Sequence, residues 1–344
     1  MWYNLLKVSK KMPGCQMDKQ QNGLSNYLLE KVYLDQLQKD IKEKAERKSS
    51  PELTGINRAA WKIEEVSLGM DQACLIMQEL FDEVNKGGKL SIERITNEIS
   101  PIIQIASSSP RIFELLHQNK SKEEYTYWHS ICVGVLSTII GNWMRLSPEK
   151  CEELMIAAVL HDIGKAMIPK VIVNKTGKLT SNEYNMIKQH TVYGYDLLNG
   201  LNHIPESAAI VSLQHHERED GMGYPYGLKG DQIHYFAKIV AVADIYHAMS
   251  SERVYHEATP FYLIIKQMQN DVYGKLDAHI LLVFMERLLQ ALVGKKIQMN
   301  NGEFGYILLM NRYNPLKSLV KTERGIIDLM AFPELEITKI INEV

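Results

Sequence analysis

His161 and Asp162 stand side by side at the end of the apolar run MIAAVL, and Lys165 follows within the stretch LHDIGKAMIP. Four more titratable residues, His129, His190, His215 and Asp244, fall on helical faces that are otherwise apolar. His129 leads the stripe Ile131, Cys132, Val135, Leu136 and Ile139; His190 lies one turn after Met186 and just before Tyr193. His215 follows Val211 by one turn, and Asp244 follows Val240 in the same way. A lone buried histidine is ordinary, a core residue bonded to a carbonyl. Six inward polar groups are not. An unpaired buried carboxylate costs several kcal/mol, on the order of a whole domain's stability. Few basic residues occupy matching positions, so a divalent metal supplies the missing charge. Imidazole with carboxylate is a normal ligand set for Fe, Mn or Zn.

The His161-Asp162 doublet suits two ions. A carboxylate has two oxygens and bridges two cations, while the neighbouring imidazole ligates one. Ions roughly 3.5–4 Å apart polarise a phosphoryl group and lower the pKa of a bridging water. Lys165, one turn beyond His161, aims its ammonium at a phosphate oxygen.

These residues need helices to hold them. The pattern is helical over residues 51–120, broken at Gly87-Gly88 and at Ser107-Ser108-Ser109-Pro110, and mainly helical over 121–292. Ser50-Pro51 and Ser147-Pro148 each read as an N-cap followed by a first-turn proline. Thr180 to Glu183 spells a capping box. Residues 1–50 form a separate helical segment whose stretch 24–48 alternates leucines with charge, a solvated or partner-binding helix. After Gly294 the pattern changes, and Asn301-Gly302 signals a type I′ hairpin in a small β-rich appendage over 293–344. The expected fold class is therefore mainly α: a helical bundle with a helical N-terminal region and a β-rich C-terminal appendage.

A net charge of −2 provides no broad basic field for duplex DNA or RNA. Cys15, Cys74, Cys132 and Cys151 are scattered without CxxC spacing, which fits a reducing cytoplasm rather than a disulfide framework. The N-terminus lacks a signal-peptide run, and Ile131 to Met144 is too short to span a bilayer. A cytoplasmic protein is expected.

The spacing HDxxK, with further histidines and a late aspartate, resembles the HD phosphohydrolase superfamily. The stretch HHEREDGMGYP (215–225) narrows the resemblance to its HD-GYP branch, the cyclic-di-GMP phosphodiesterases of bacterial signalling. YTYWHS (125–130), HDIGKAMIP (161–169), NKTGKLTSNEYNMIKQH (174–190) and VADIYHAMSSERVY (242–255) agree in order and spacing. The resemblance covers residues 121–292 and implies an HD-type bundle there. It implies metal ligands at His129, His161, Asp162, His190, His215, His216 and Asp244, His216 being its own addition to the six read above. It makes Asp162 and Lys165 the catalytic pair, with Lys165 on the phosphate. Asp220, Gly221, Gly223, Tyr224 and Pro225 would form the substrate-side loop, and Arg253 would hold substrate phosphate. Two departures stand out on the expected substrate side: His247 in YHAM, where the family often has aspartate, and Val254 and His256 after Arg253.

The implied activity is hydrolysis of a 3′,5′-phosphodiester in cyclic-di-GMP with two divalent ions, Fe or Mn. Two other readings stay open: a nucleotide-sensing module with little activity, and a hydrolase of another cyclic dinucleotide such as cyclic GMP-AMP. A homodimer or a signalling partner would engage the N-terminal helices. Some family members bind a third metal through a glutamate one turn before His129. Tyr125 stands there, so two ions and a linear dinucleotide product are expected, with His216 a weak ligand or a group behind the ligands.

Overall fold

Nine principal helices and a small sheet make up the part of the chain that a computed structural model describes. It covers residues 63–341 except 117–121, 176, 252–263, 266, 269–273 and 312–313. The expected segment 1–50, the Ser50-Pro51 helix start and Arg253 lie outside the described residues. Contacts divide the chain into two compact units, Met1–Ala59 and Ala60–Val344, and all of these helices and strands belong to the second.

Helix α1 (Ile63–Asn85) buries Val66, Met70, Ala73, Met77, Leu80, Phe81 and Val84, a stripe at helical spacing. It ends at Gly87-Gly88, where both glycine N–H groups return to carbonyls of the last turn. α2 (Ser100–Ser108) follows a π-helical turn, Ile95–Ile99. The central helix is α3 (Lys122–Trp143), against which α1, α2, α4 (Pro148–Val159), α8 (Tyr235–Ser250) and α9 (Ala278–Gln290) pack. From Trp128 to Ile140 every residue of α3 is buried. That is why its hydrophobic run reads as continuous rather than striped. Ser147 caps α4 by accepting from the Lys150 N–H, as expected.

The Thr180–Glu183 capping box is present in full and starts α5 (Ser181–Lys188). One expectation here needs correction. His190 is not on the capping-box helix: the chain turns at Gln189, and His190 begins α6 (His190–Leu198). Met186 and Tyr193, the supposed apolar partners, are exposed, while His190 is buried. α7 (Glu206–Gln214) then leads into the His215-His216 corner.

The C-terminal appendage is a five-stranded antiparallel sheet in the order β4-β3-β2-β1-β5. Its strands are β1 (Lys296–Met299), β2 (Phe304–Leu309), β3 (Leu319–Thr322), β4 (Gly325–Asp328) and β5 (Ile337–Ile341). The first hairpin differs from the type I′ expectation. The Gly302 N–H bonds Met299 O, and only Gly302 has positive φ, so the loop is a three-residue turn closed by a glycine bulge. Ile297, Met299, Ile307, Val320, Leu329 and Ile337 form the sheet's own core, which meets the helical core through Leu292 and Met310. Deleting residues 295–344 is therefore expected to leave metal binding within about twofold of the full chain, because packing is additive between weakly coupled units. Metal analysis of the truncated protein checks this, and loss of metal would make the sheet part of the site. Among the described residues no helix is long and apolar enough to cross a membrane.

Candidate metal centre

Five separate elements deliver the polar residues to one place. α3 carries His129, α6 opens with His190, His215 caps α7 and His216 follows it, and Asp244 sits within α8. His161 and Asp162 come from the corner where α4 stops at Leu160 and a 3₁₀ turn, Ile163–Met167, begins. The Ser212 hydroxyl donates to His161 O at 2.9 Å and ties α7 to that corner. Gly164 lets the turn lie against α6: a Cβ there would collide with His190 O and Gly194 N, both backbone.

Asp162 is at the middle, and its two oxygens face different partners. Oδ1 lies 3.3 Å from His190 Nε2 and 3.8 Å from His215 Nε2. Oδ2 lies 3.3 Å from His161 Nε2 and 3.9 Å from His129 Nε2. His129 Nε2 is also 3.0 Å from Asp244 Oδ1. The ligating atoms fall into two sets, Asp162 with His190, His215 and His216, and His129 with His161 and Asp244. Asp162 Oδ1 thus faces two imidazoles of the first set and Oδ2 two of the second.

Three imidazoles are held by the backbone. Nδ1 of His161, His190 and His215 lies 2.7, 2.6 and 2.9 Å from the carbonyls of Ala158, Ile187 and Ser212. A carbonyl only accepts, so each Nδ1 carries the proton and each Nε2 points bare toward Asp162. Burial keeps most of these rings neutral: it pushes His190 down to about 3, His216 to about 4 and His215 well below its usual range. Burial also lowers His129, against the pull of Asp244. His161 is the exception: burial, the largest single influence, lowers it, but the carboxylates of Asp162 and Asp244 together raise it. Burial opposes ionisation of both carboxylates. Lys165 and His161 nevertheless hold Asp162 well below the usual carboxylate range, and His129 does the same for Asp244.

Does this set fit cations? Few basic residues match a buried carboxylate in the sequence, and the structure supplies one of them: the Lys165 ammonium pairs with Asp162 Oδ2. In a 3₁₀ turn residues i and i+3 eclipse, which puts the two side chains together. That pair leaves the other oxygen unanswered. Asp162 Oδ1 and His161 Nε2 are buried with no hydrogen-bond partner. Two orphaned lone-pair atoms facing a cluster of neutral imidazoles are what a divalent ion satisfies. The residues fit.

The loop after His216 stands beside this centre. Glu217 is buried, and its carboxylate accepts from the Tyr226 and Leu228 N–H groups at 2.8 and 2.9 Å, pulling the loop into an arch. Asp220 pairs with Arg218 and accepts from the Met222 N–H at 2.9 Å, while Gly221 takes a positive φ of 76°. At Gly223 a Cβ would lie 2.6 Å from His216 O, so the arch passes this point only as glycine. The Tyr224 ring then lies over His216 with centroids 4.7 Å apart, and Pro225 follows through a cis peptide bond. Lys188 places its ammonium 5.8 Å from the Tyr224 ring centre.

The HD domain family pattern matches residues 102–280, more than half of the chain. This chain belongs to that family. Among curated relatives, a cyclic di-GMP phosphodiesterase of Pseudomonas aeruginosa is 29% identical over 76% of this chain and 63% of its own length. The 3′3′-cGAMP-specific phosphodiesterase 3 of Vibrio cholerae is 34% identical over 46% of this chain and 34% of its own. The chain thus spans less than two thirds of the relatives it matches. A solved structure described as a HDG"Y"P protein from Bdellovibrio bacteriovorus superposes with a TM-score of 0.54 at 17% identity, covering 68% of this chain and 74% of that one. It shares the fold.

The HD domain brings together all seven residues expected as ligands, His129, His161, Asp162, His190, His215, His216 and Asp244. Lys165 pairs with Asp162 and Tyr224 lies over His216, while Asp220, Gly221, Gly223 and Pro225 belong to the arch that carries Tyr224. His247 is fully buried against His129, with the two Nδ1 atoms 2.8 Å apart. Gly164 and Glu217 do not stand out in the sequence. Gly164 sits within the HDxxK stretch, yet its role depends on a backbone approach from α6. Glu217 is one acid in a charged run and carries no local signal.

Proposed function

We propose that this HD domain is a metal-dependent phosphodiesterase that opens cyclic-di-GMP to linear pGpG. One observation carries the reading: the two oxygens of Asp162 face two distinct histidine sets, one including Asp244. His190, His215, His216 and Asp162 Oδ1 would hold one ion; His129, His161, Asp244 and Asp162 Oδ2 would hold the other. Two such ions, Fe or Mn by their nitrogen and oxygen donors, supply charge for the phosphoryl group and a water of lowered pKa. The protein's own groups do the positioning. Backbone carbonyls fix three rings, and Asp162 sets the spacing between the two sets. Lys165, a quarter exposed beside Asp162, is the cation that meets a phosphate oxygen on the open side. The arch from Asp220 to Pro225 brings Tyr224 to the His216 side, where its ring walls the substrate. Arg253 is assigned the second phosphate contact on the resemblance.

Tyr125 stacks on His129 with centroids 5.7 Å apart and planes 20° from parallel, and a phenol beside imidazole and carboxylate is a poor ligand. That supports two ions and one cut. We assign the chain to the cytoplasm, residues 121–292 to catalysis, and residues 1–120 to a homodimer contact or a signalling partner.

The test is metal counting by plasma emission on anaerobically prepared protein, with products separated after incubation with cyclic-di-GMP and with 3′3′-cGAMP. Two ions per chain and accumulation of pGpG are expected. Three ions at full occupancy, or rapid GMP, would overturn the two-ion reading. Tight binding without hydrolysis would make the domain a sensor. Faster cleavage of 3′3′-cGAMP, the nucleotide named for the Vibrio cholerae relative, would change the substrate and leave the chemistry in place.

A further inference from the structure

His129 is held differently from the other buried ligand histidines. Where His161, His190 and His215 offer Nδ1 to carbonyls, His129 offers it to another imidazole, the Nδ1 of His247 at 2.8 Å. An imidazole nitrogen either donates or accepts, so a single proton lies between these atoms and the partner's chemistry does not fix its owner. Ligation does: if His129 Nε2 gives its lone pair to the ion proposed above, the one proton of the neutral ring lies on Nδ1 and the facing His247 Nδ1 accepts it. His247 is fully buried on α8, three residues past Asp244, and the Ser251 hydroxyl, which donates to His247 O at 2.7 Å, lies over its ring with Oγ 3.1 Å from Nε2 and 3.4 Å from Nδ1. Tyr125 lies against both rings, 5.7 Å from His129 and 6.3 Å from His247, and keeps them from rotating.

We infer that His247 is a positioning residue for His129, its Nδ1 accepting the His129 Nδ1–H. His129 Nε2 is then bare and aimed at the ion it shares with His161 and Asp244. The inference rests on the two-ion reading and concerns that ion alone. It makes a positional demand: the acceptor must stand where His247 Nδ1 stands. In His247→Asn the amide oxygen occupies that place. In His247→Gln the oxygen sits where Nε2 was, out of reach of His129. A partner that only filled space would not distinguish the two amides.

The experiment titrates Mn²⁺ into the full chain, anaerobically, with stoichiometry and step affinities read by calorimetry. Removing the partner of a ligating histidine costs about 10–100-fold in metal affinity. His247→Leu and His247→Gln are expected to weaken one of the two binding steps by that factor and leave the other unchanged. His247→Asn is expected to bind both ions as the parent does. In Zn²⁺-loaded protein, nitrogen-15 NMR is expected to find His247 as the Nε2–H tautomer. Two unchanged steps in His247→Leu, equal losses in the Asn and Gln variants, or the Nδ1–H tautomer at His247 would each overturn the inference. Should His247→Leu fail to fold, the Asn and Gln pair decides alone. A parent protein that binds fewer than two ions would overturn the two-ion reading, and this inference with it.

Discussion

Asp162→Ala is expected to remove both ions together and to end hydrolysis, while the chain still folds. Its Oδ1 faces His190 and His215 and its Oδ2 faces His161 and His129. Asp244 reaches across less fully, with His129 at 3.0 Å and His216 at 4.0 Å. Asp162 alone meets two imidazoles of each set among the described residues, so losing it costs each ion a ligand and costs the pair its spacing. Charge stabilisation worth several kcal/mol disappears from the transition state, about 10³-fold or more in rate. Folding survives because Lys165, left without its partner, has a route to solvent, while the neutral imidazoles keep their carbonyl bonds. Stability falls through the small cavity created. Metal analysis, turnover and thermal unfolding of the purified variant together check this. A variant that keeps both ions and measurable turnover would refute the bridging role.

Gly164→Ala is the second large effect, and it acts through the fold. The added methyl group points at His190 O and Gly194 N, which are main-chain atoms of α6 and cannot swing aside. Either the 3₁₀ turn lifts off α6, or α6 moves and takes His190 with it. Overpacking of a buried site costs about 1–3 kcal/mol when side chains give way, and more when backbone must. The expected loss is about 3 kcal/mol or more, with metal binding impaired in both sets, since the turn carries Asp162 and the helix carries His190. Denaturant unfolding and metal analysis measure the two consequences. A variant of unchanged midpoint and full metal content would show that the close approach has no structural weight.

Much of the site is legible in the sequence because burial of polar groups is a local statement. A histidine or aspartate inside an apolar run declares itself without knowledge of the fold, and His129, His161, Asp162, His215 and Asp244 do so. His190 is reached by a faulty route. The stripe through Met186 and Tyr193 supposes one continuous helix, but the chain turns at Gln189 and both of those side chains are exposed. His216 needs the resemblance, since it sits at a corner where periodicity has ended. Lys165 is expected to meet phosphate, yet its pairing with Asp162 follows from the 3₁₀ geometry of the turn rather than from α-helical spacing. The contacts missed share one property. Gly164, Glu217 and His247 meet partners outside their own turn of chain, namely the α6 backbone, the Tyr226 and Leu228 N–H groups and His129 Nδ1. Nothing in their neighbours announces that. Asn301-Gly302 marks a hairpin, but the dipeptide does not choose between a two-residue loop and a three-residue loop with a bulge.

The ion pair between Lys165 and Asp162 separates two events in the life of the protein. A buried carboxylate that had to wait for a metal would leave its helices uncommitted until the metal arrived, as in small domains that are unfolded without their ion. Here the counter-charge is encoded three residues away and closes as soon as the turn forms. The chain can reach its architecture first and take up ions afterwards. Donor sets of nitrogen and oxygen rank divalent metals in a similar order wherever they occur, so a scaffold completed beforehand leaves the choice of metal to cellular supply at the time of loading.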